Sequence, residues 1–318
     1  MKKILSIDGG GIRGIIPALI LARIEELTGE PVADLFDLII GTSTGGLLAL
    51  GLSIRDTTGK PQYSAKQLGE LYETRGRDIF QRSLWDGITA GVLDNVYEAD
   101  GLEQVLQDYF KDAKFKDLPP QPKVAVTTYD IRLRSPLFLK SWHANHHDIR
   151  LREAARATSA APTYFDPLRL KVRDVDSVLV DGGVFINNPS VSGYAEALKE
   201  FGRQEDFFML SLGTGELTRT IAYDQVAGKG KIAWLLPLLS CMFDGVADAA
   251  DYQMRQILPE TAYFRLQASL GKRDDPLCAN DDMDDATNFN IRSLKEIAAK
   301  LIWEREGELG KICDALLA

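Results

Sequence analysis

Histidine is almost missing from this chain: three among 318 residues, His143, His146 and His147. A centre that needs histidines drawn from several parts of the sequence has nothing to draw on. Cysteine is as scarce, with Cys241, Cys278 and Cys313 odd in number and far apart. That pattern supports no disulfide framework and fits a reducing compartment. Positive charge is in deficit: 37 Lys and Arg stand against 46 Asp and Glu, a net charge of −9. Such a balance gives no electrostatic reason to bind nucleic acid, and anionic bilayers would repel it outside a local basic patch. Long apolar runs are missing too. The stretch after Lys2 and Lys3 is too short for a signal peptide. The most apolar later segment, Trp234 to Phe243, contains Pro237 and is about half the length of a membrane span. The expectation is a soluble cytoplasmic protein whose contact with membranes is transient and peripheral.

What is present is ordinary globular material, 45% apolar and 26% charged, with no internal repeat or low-complexity tract. It suffices for a sizeable core in one domain over 1–318. Residues 3–8 read as a buried strand running into glycine. Residues 15–28 carry helical spacing, with Ile15, Leu19, Ala22, Ile24 and Leu27 toward one side. Residues 36–40 and 45–54 repeat the order. Strand, glycine turn, helix, twice over, is the pattern of a parallel α/β sheet. Further helices are expected at 64–80, opened by a Ser64–Gln67 capping box, and at 98–110, 150–160, 287–301 and 303–317. Another runs to Phe201 from Asn188 as N-cap and Pro189 as first helical residue. Strands are expected at 123–129, 136–141, 177–180 and 207–212. Residues 81–98 are less regular, helices dominate after 245, and the acidic stretch from Asp274 to Asp285 reads as a loop.

Three glycine turns carry the chemistry. Gly41-Thr42-Ser43-Thr44-Gly45 matches G-x-S-x-G between a strand and a helix, the context of a nucleophile elbow. Its bland alternative is a plain turn or a phosphate loop. Asp8-Gly9-Gly10-Gly11-Ile12-Arg13-Gly14 can aim backbone N–H groups into a site, as an oxyanion hole requires. It also satisfies the dinucleotide fingerprint G-x-G-x-x-G. The acid expected some 20 residues on is poorly matched, because Glu30 follows a helix and Gly29 with no strand before it. No Gly-Lys-Ser or Gly-Lys-Thr occurs, so the Walker pattern fails. Asp181-Gly182-Gly183 closes a strand and is either a carboxylate at the sheet edge or a simple turn. No histidine follows Asp181, which excludes the order Ser, acid, His. A histidine between Ser43 and Asp181 stays arithmetically open, as does a metal held by the three histidines.

These turns, in this order, resemble the patatin-like phospholipase family. Ala157 to Phe165 (ATSAAPTYF), Asn187-Asn188-Pro189, Ser211 to Gly215 (SLGTG) and the stretch around Met283 to Thr287 are similar as well. The resemblance implies a three-layer α/β/α sandwich with a mainly parallel central sheet, a modified α/β-hydrolase-like fold. It implies Ser43 as nucleophile on an elbow framed by Gly41 and Gly45, and Asp181 as base on a loop with Gly182 and Gly183. The oxyanion hole falls to Gly9, Gly10, Gly11 and Arg13. No metal or cofactor is implied, and the acidic loop does not follow a calcium-binding pattern. Phospholipids or other acyl-ester lipids are the implied substrates, and a ligand-switched, membrane-degrading effector role is among the family's uses. An acyltransferase on the same acyl-enzyme and a non-catalytic phosphate-binding module are the rival readings. The Trp234 to Phe243 stretch is open between acyl groove, membrane contact and core.

Overall fold

Buried runs of β-branched and large apolar residues set the centre of the molecule, because such runs are stable only where both faces of a sheet are covered. The computed structural model describes residues 1–80, 99–216, 220–271, 275 and 277–318. In chain order the elements are β1 (Lys2–Ile7), α1 (Ile15–Thr28), α2 (Val32–Leu35), β2 (Leu38–Thr42), α3 (Thr44–Ser53), α4 (Ala65–Ile79) and α5 (Ala99–Phe110). There follow β3 (Lys123–Asp130), β4 (Ser135–Lys140), α6 (Leu151–Thr158), β5 (Leu168–Val172), β6 (Val175–Asp181), α7 (Ser190–Phe201) and β7 (Phe207–Leu212). The chain ends with α8 (Tyr223–Val226), α9 (Gly230–Ile257), β8 (Tyr263–Leu266), α10 (Asn288–Glu304) and α11 (Glu306–Leu317).

All the strands join one mainly parallel sheet. β1 lies between β2 and β7, β3 adds beyond β2 and β8 beyond β7, all parallel. β4 covers one edge of β3, antiparallel, over Ala125–Asp130. The opposite edge of β3 is shared. β2 occupies it up to the pair Thr42↔Thr127, and antiparallel β6 takes it over from Asp181↔Thr128. The strand ends that carry Ser43 and Asp181 therefore meet on adjacent threonines of a third strand.

The period-two alternation of strands sorts the core into two layers. Leu5, Ile7, Ile39, Val124, Val126, Leu210 and Leu212 face one side, with α1, α3, α4, α5 and α10 packed over them. Ile4, Leu38, Ile40, Ala125, Phe207 and Met209 face the other, under Ala197 of α7 and Met254 of α9. Helices on both faces of a central sheet are the architecture expected from the sequence. The Ser64–Gln67 capping box is present.

Several boundaries differ. β2 is shifted to 38–42, leaving Phe36 and Asp37 outside it. α7 opens at Ser190, one residue later than expected, with Pro189 at its N-cap; the Asn188 side chain accepts the Ser190 N–H at 3.0 Å. Five elements escape the sequence reading: the one-turn helices α2 and α8, the strands β5 and β8, and the early part of α9. The Trp234–Phe243 stretch lies inside α9, which continues through Pro237. Trp234, Leu238 and Met242 are exposed while Phe243 is buried, so the core reading holds for Phe243 alone of these four. The irregular segment 81–98 lies outside the described residues. Among the described residues no helix is long and apolar enough to cross a membrane.

Candidate active site

Ser43 sits on the single residue that turns β2 into α3. Its backbone is left-handed in φ (φ 53°, ψ −123°), a conformation that costs a non-glycine residue about 1–3 kcal/mol. The turn is this tight only because its flanks lack side chains. A Cβ on Gly41 would meet the Gly45 carbonyl oxygen at 2.1 Å, and one on Gly45 would meet the Ile7 oxygen at 2.2 Å. Hydroxyls brace the strained turn. The Ser43 N–H donates to Thr158 Oγ1 at 2.9 Å, and Thr158 donates in turn to the Thr127 carbonyl at 2.6 Å. Thr127 donates to Thr42 Oγ1 at 2.8 Å, and Thr42 to the Ile186 carbonyl at 2.8 Å, which ties the elbow to the loop after Asp181.

Asp181 ends β6 at 2% exposure, with its main chain fixed by a 2.9 Å bond to the Ala160 carbonyl. Its carboxylate accepts the Gly183 N–H at 2.7 Å, and the Ser43 hydroxyl stabilises its charged form. Burial pushes its pKa up to about 7, and the Ser43 hydroxyl and Gly183 N–H only partly oppose that. A carboxylate in this range is a far better proton acceptor than an exposed one. Gly182 lets the loop press on β3, since a Cβ there would lie 2.1 Å from Thr127 Oγ1.

The glycine loop after β1 lies across from the dyad, as the Gly9 to Ser43 approach shows: a Cβ on Gly9 would be 3.2 Å from Ser43 Cβ. Of the four residues expected to form an oxyanion hole, two have committed amides. Gly9 donates to the Asn187 carbonyl at 3.0 Å, and Arg13 to the Gly10 carbonyl at 3.2 Å. Among the described residues the Gly10 and Gly11 N–H groups have no protein acceptor, which leaves these two of the four free to donate to a bound group. Gly11 needs its left-handed φ of 59° and its missing side chain, because Met283 O would lie 2.0 Å from a Cβ. Arg13 is buried, and its Nε donates to the Gly10 carbonyl at 3.2 Å. It braces the loop through both its side chain and its amide, which donate to the same carbonyl.

Ser43 and Gly11 open on a cavity of about 480 Å3 walled by Leu47, Ile79, Leu102, Phe165 and Met283. A second apolar cavity of about 420 Å3 shares Leu47, Tyr72, Ile79 and Leu102 and extends to Tyr63 and Tyr109. None of the three histidines lines either cavity. Among the described residues no group of three or more His, Cys, Asp or Glu is arranged to hold a metal ion.

Residues 5–191, a span that holds Ser43 and Asp181, match the model of the family described as Patatin-like phospholipase. The chain belongs to that family. It is 31% identical to Patatin-like protein 2 of Arabidopsis thaliana, over 94% of this chain and 82% of the relative. It is also 31% identical to the cGAMP-activated phospholipase of Pseudomonas aeruginosa, over 83% of this chain and 77% of that one. Among solved structures, VipD from Legionella pneumophila aligns at TM-score 0.39 and 11% identity, covering 94% of this chain and 67% of VipD.

The patatin-like site also depends on residues that the sequence reading missed. Thr158 was visible only as part of a family-like stretch, and its hydroxyl is what fixes the elbow. Thr214 donates to the Gly9 carbonyl at 2.6 Å, giving the SLGTG turn its purpose. Arg265 lies on the overlooked β8 and grips Asp8 with both guanidinium nitrogens, at 2.9 and 2.5 Å, with the pair 5% and 2% exposed. It also donates to Ser211 at 2.9 Å. Asp8 opens the oxyanion loop, so Arg265 holds the loop's root. Arg265→Gln strands a buried carboxylate and is expected to lower stability by about 3–5 kcal/mol. Urea denaturation of the variant, and of Asp8→Asn/Arg265→Gln, checks this. The double variant should recover part of the loss, because it removes the unpaired charge.

Proposed function

We propose that the protein is a serine lipid acyl hydrolase of phospholipase A or lysophospholipase type, with one catalytic domain over residues 1–318. The observation that carries this reading is Ser43, on a strained glycine-flanked turn that opens on an apolar cavity, with its hydroxyl acting on the buried Asp181 carboxyl. In the proposed reaction Ser43 Oγ attacks the ester carbonyl carbon while Asp181 takes its proton. The carbonyl oxygen, now an anion, rests on the Gly10 and Gly11 N–H groups, and the N-terminus of α3 adds positive potential. Collapse expels the alcohol, which leaves with the proton from Asp181, and the acyl group stays on Ser43. Water then gives a proton to Asp181 and its oxygen to the acyl carbon, which releases the fatty acid and restores the serine. Every proton in this scheme passes through Asp181, and no step calls on a metal ion. The two neighbouring cavities, which share Leu47, Tyr72, Ile79 and Leu102, offer apolar walls to an acyl chain, at about 0.8 kcal/mol for each methylene buried.

A fluorophosphonate probe is the direct test. Labelling of wild type and none of Ser43→Ala supports the nucleophile, and a chain that stays unlabelled in the presence of lipid removes it. Product analysis with phospholipids and p-nitrophenyl esters in chelator, with and without an acceptor alcohol, separates hydrolase from acyltransferase. The similarity to a cGAMP-activated phospholipase favours a further element of the reading, a membrane-degrading effector in the cytoplasm whose activity is switched by a ligand.

A further inference from the structure

The histidines that catalysis leaves idle sit together, away from Ser43. His143 and His146 line a cleft of about 1030 Å3 between the β3–β4 and β5–β6 hairpins. Their rings stack with centroids 4.6 Å apart, and His146 is 1% exposed. His146 Nδ1 accepts the Lys140 backbone N–H at 3.1 Å, which puts the proton of the neutral ring on Nε2. Nε2 has no partner among the described residues. His143 repeats the pattern. Its Nε2 faces Arg173 Nη2 at 3.5 Å, so its proton belongs on Nδ1, and Nδ1 is also unpartnered. Burial, with the nearby charges of Arg173 and Lys140, keeps both rings below the usual histidine range, His146 at about 4. At neutral pH they are uncharged N–H donors without acceptors, which buried groups rarely are.

Positive charge converges on the same cleft. Arg173 and Lys199 line it, and among the described residues neither has a carboxylate within ion-pair distance. Both cations are exposed at its rim. The acids there are each engaged through one oxygen: Glu196 Oε1 pairs with Lys140 at 2.5 Å, and Asp130 Oδ1 accepts the Arg132 and Leu133 N–H groups at 2.9 and 3.1 Å, while Glu196 Oε2 and Asp130 Oδ2 are buried without a partner among the described residues. Arg173 is held at the tip of the β5–β6 hairpin in left-handed backbone, φ 53°, where glycine or asparagine is the ordinary choice. In a chain of net charge −9, two orphaned ring N–H donors beside two cations without a carboxylate at ion-pair distance favour an anionic occupant, held on the histidine, Arg173 and Lys199 side of the cleft and away from Asp130.

We propose that this cleft binds a phosphate-type anion, with the His143 and His146 N–H groups, Arg173 and Lys199 as its donors. Several acceptor oxygens on one small group answer several donors at once. Pro136 and Phe138 offer an apolar wall for the rest of the ligand. Phe138 also packs edge-on against Phe185, 6.0 Å away in the loop that follows Asp181, so an occupant against Phe138 is one side chain removed from that loop. The site is separate from the Ser43 cavity, and its occupancy is measured without turnover.

All three histidines of the chain lie at 143–147, so nitrogen-15 histidine labelling yields an NMR spectrum of this region alone. Titration with inorganic phosphate or AMP is expected to shift the His143 and His146 signals saturably. Arg173→Asn with Lys199→Ala should weaken that binding by about tenfold or more. Asparagine tolerates the left-handed turn, so the variant keeps its hairpin. A parallel arm sediments the protein with phosphatidylcholine vesicles with and without phosphatidic acid, in a Ser43→Ala background. Shifts with the soluble anions identify a free phosphorylated ligand. Retention on phosphatidic acid alone, lost in the double variant, identifies a lipid headgroup. Absence of both responses, or responses undiminished in the double variant, overturns the proposal. Fluorophosphonate labelling of wild type reports on Ser43 separately.

Discussion

Ser43→Ala is expected to lower kcat by at least about ten-thousand-fold while the protein keeps its fold, a loss of the size seen when a serine hydrolase loses its nucleophile. The size follows from what surrounds the serine. Neighbouring hydroxyls offer no substitute. Thr42 donates to Ile186, and Thr44 is bonded to Tyr72 at 2.5 Å. Ser159 borders the same cavity, but its hydroxyl has no partner among the described residues, and the hydroxyl that acts on the Asp181 carboxyl is that of Ser43. The fold should survive because the elbow is held by main-chain and threonine bonds that alanine preserves, from Ser43 N–H to Thr158 and from Thr158 to Thr127. Binding should survive as well, since the apolar walls are unchanged, so the loss should fall on kcat more than on KM. Steady-state kinetics beside a thermal melt checks both halves. A melt lowered by several degrees, or activity retained within tenfold, would place the nucleophile elsewhere.

The glycine turns of the candidate site were legible in the sequence and their supports were not, for a physical reason. A glycine turn after a buried strand is a local signal: Gly41, Gly45 and Gly11 are glycines because specific backbone atoms lie 2.0–2.2 Å from where a Cβ would be. Bracing hydroxyls and the Asp8–Arg265 pair are long-range. Arg265 is 257 residues from Asp8, and in Tyr263–Leu266 it reads as an ordinary surface charge inside a strand too short to show a period. β5 did carry a signal. Leu168, Leu170 and Val172 alternate with Arg169 and Lys171, the mark of a half-exposed strand. Pro237 masked the start of α9, since an interior proline ordinarily argues for a break. The division of labour in the oxyanion loop was also out of reach. Four residues qualify by position, and only the hydrogen bonds of Gly9 to Asn187 and Arg13 to Gly10 separate spent amides from free ones.

Asp181→Asn is expected to cut kcat/KM by about a hundredfold to ten-thousand-fold and, at the same time, to stabilise the protein above neutral pH. Both effects come from one quantity, a carboxyl pKa raised from 3.8 to about 7 by burial. For catalysis the base must be ionised, so wild-type kcat/KM should rise with pH through about 7 and then level. The sign for stability is opposite. Between about pH 4 and 7 the native carboxyl keeps a proton that the unfolded chain has released, so native stability falls as pH climbs through this window. Each tenfold change in an ionisation constant is worth about 1.4 kcal/mol. A pKa held near 7 instead of 3.8 therefore sets an upper bound on the order of 4 kcal/mol for the cost of ionising Asp181 in place. Asparagine carries no such cost, and its side-chain oxygen can still accept the Gly183 N–H. Other titrating groups are common to both proteins and cancel in the difference. The stability gap between variant and wild type should therefore be near zero at pH 4, widen to pH 7 and stay constant above it, as chemical denaturation across pH would measure. A gap that stays flat across that range would mean that Asp181 is ionised at little cost, and the base would then lack the raised pKa on which its role in proton transfer rests.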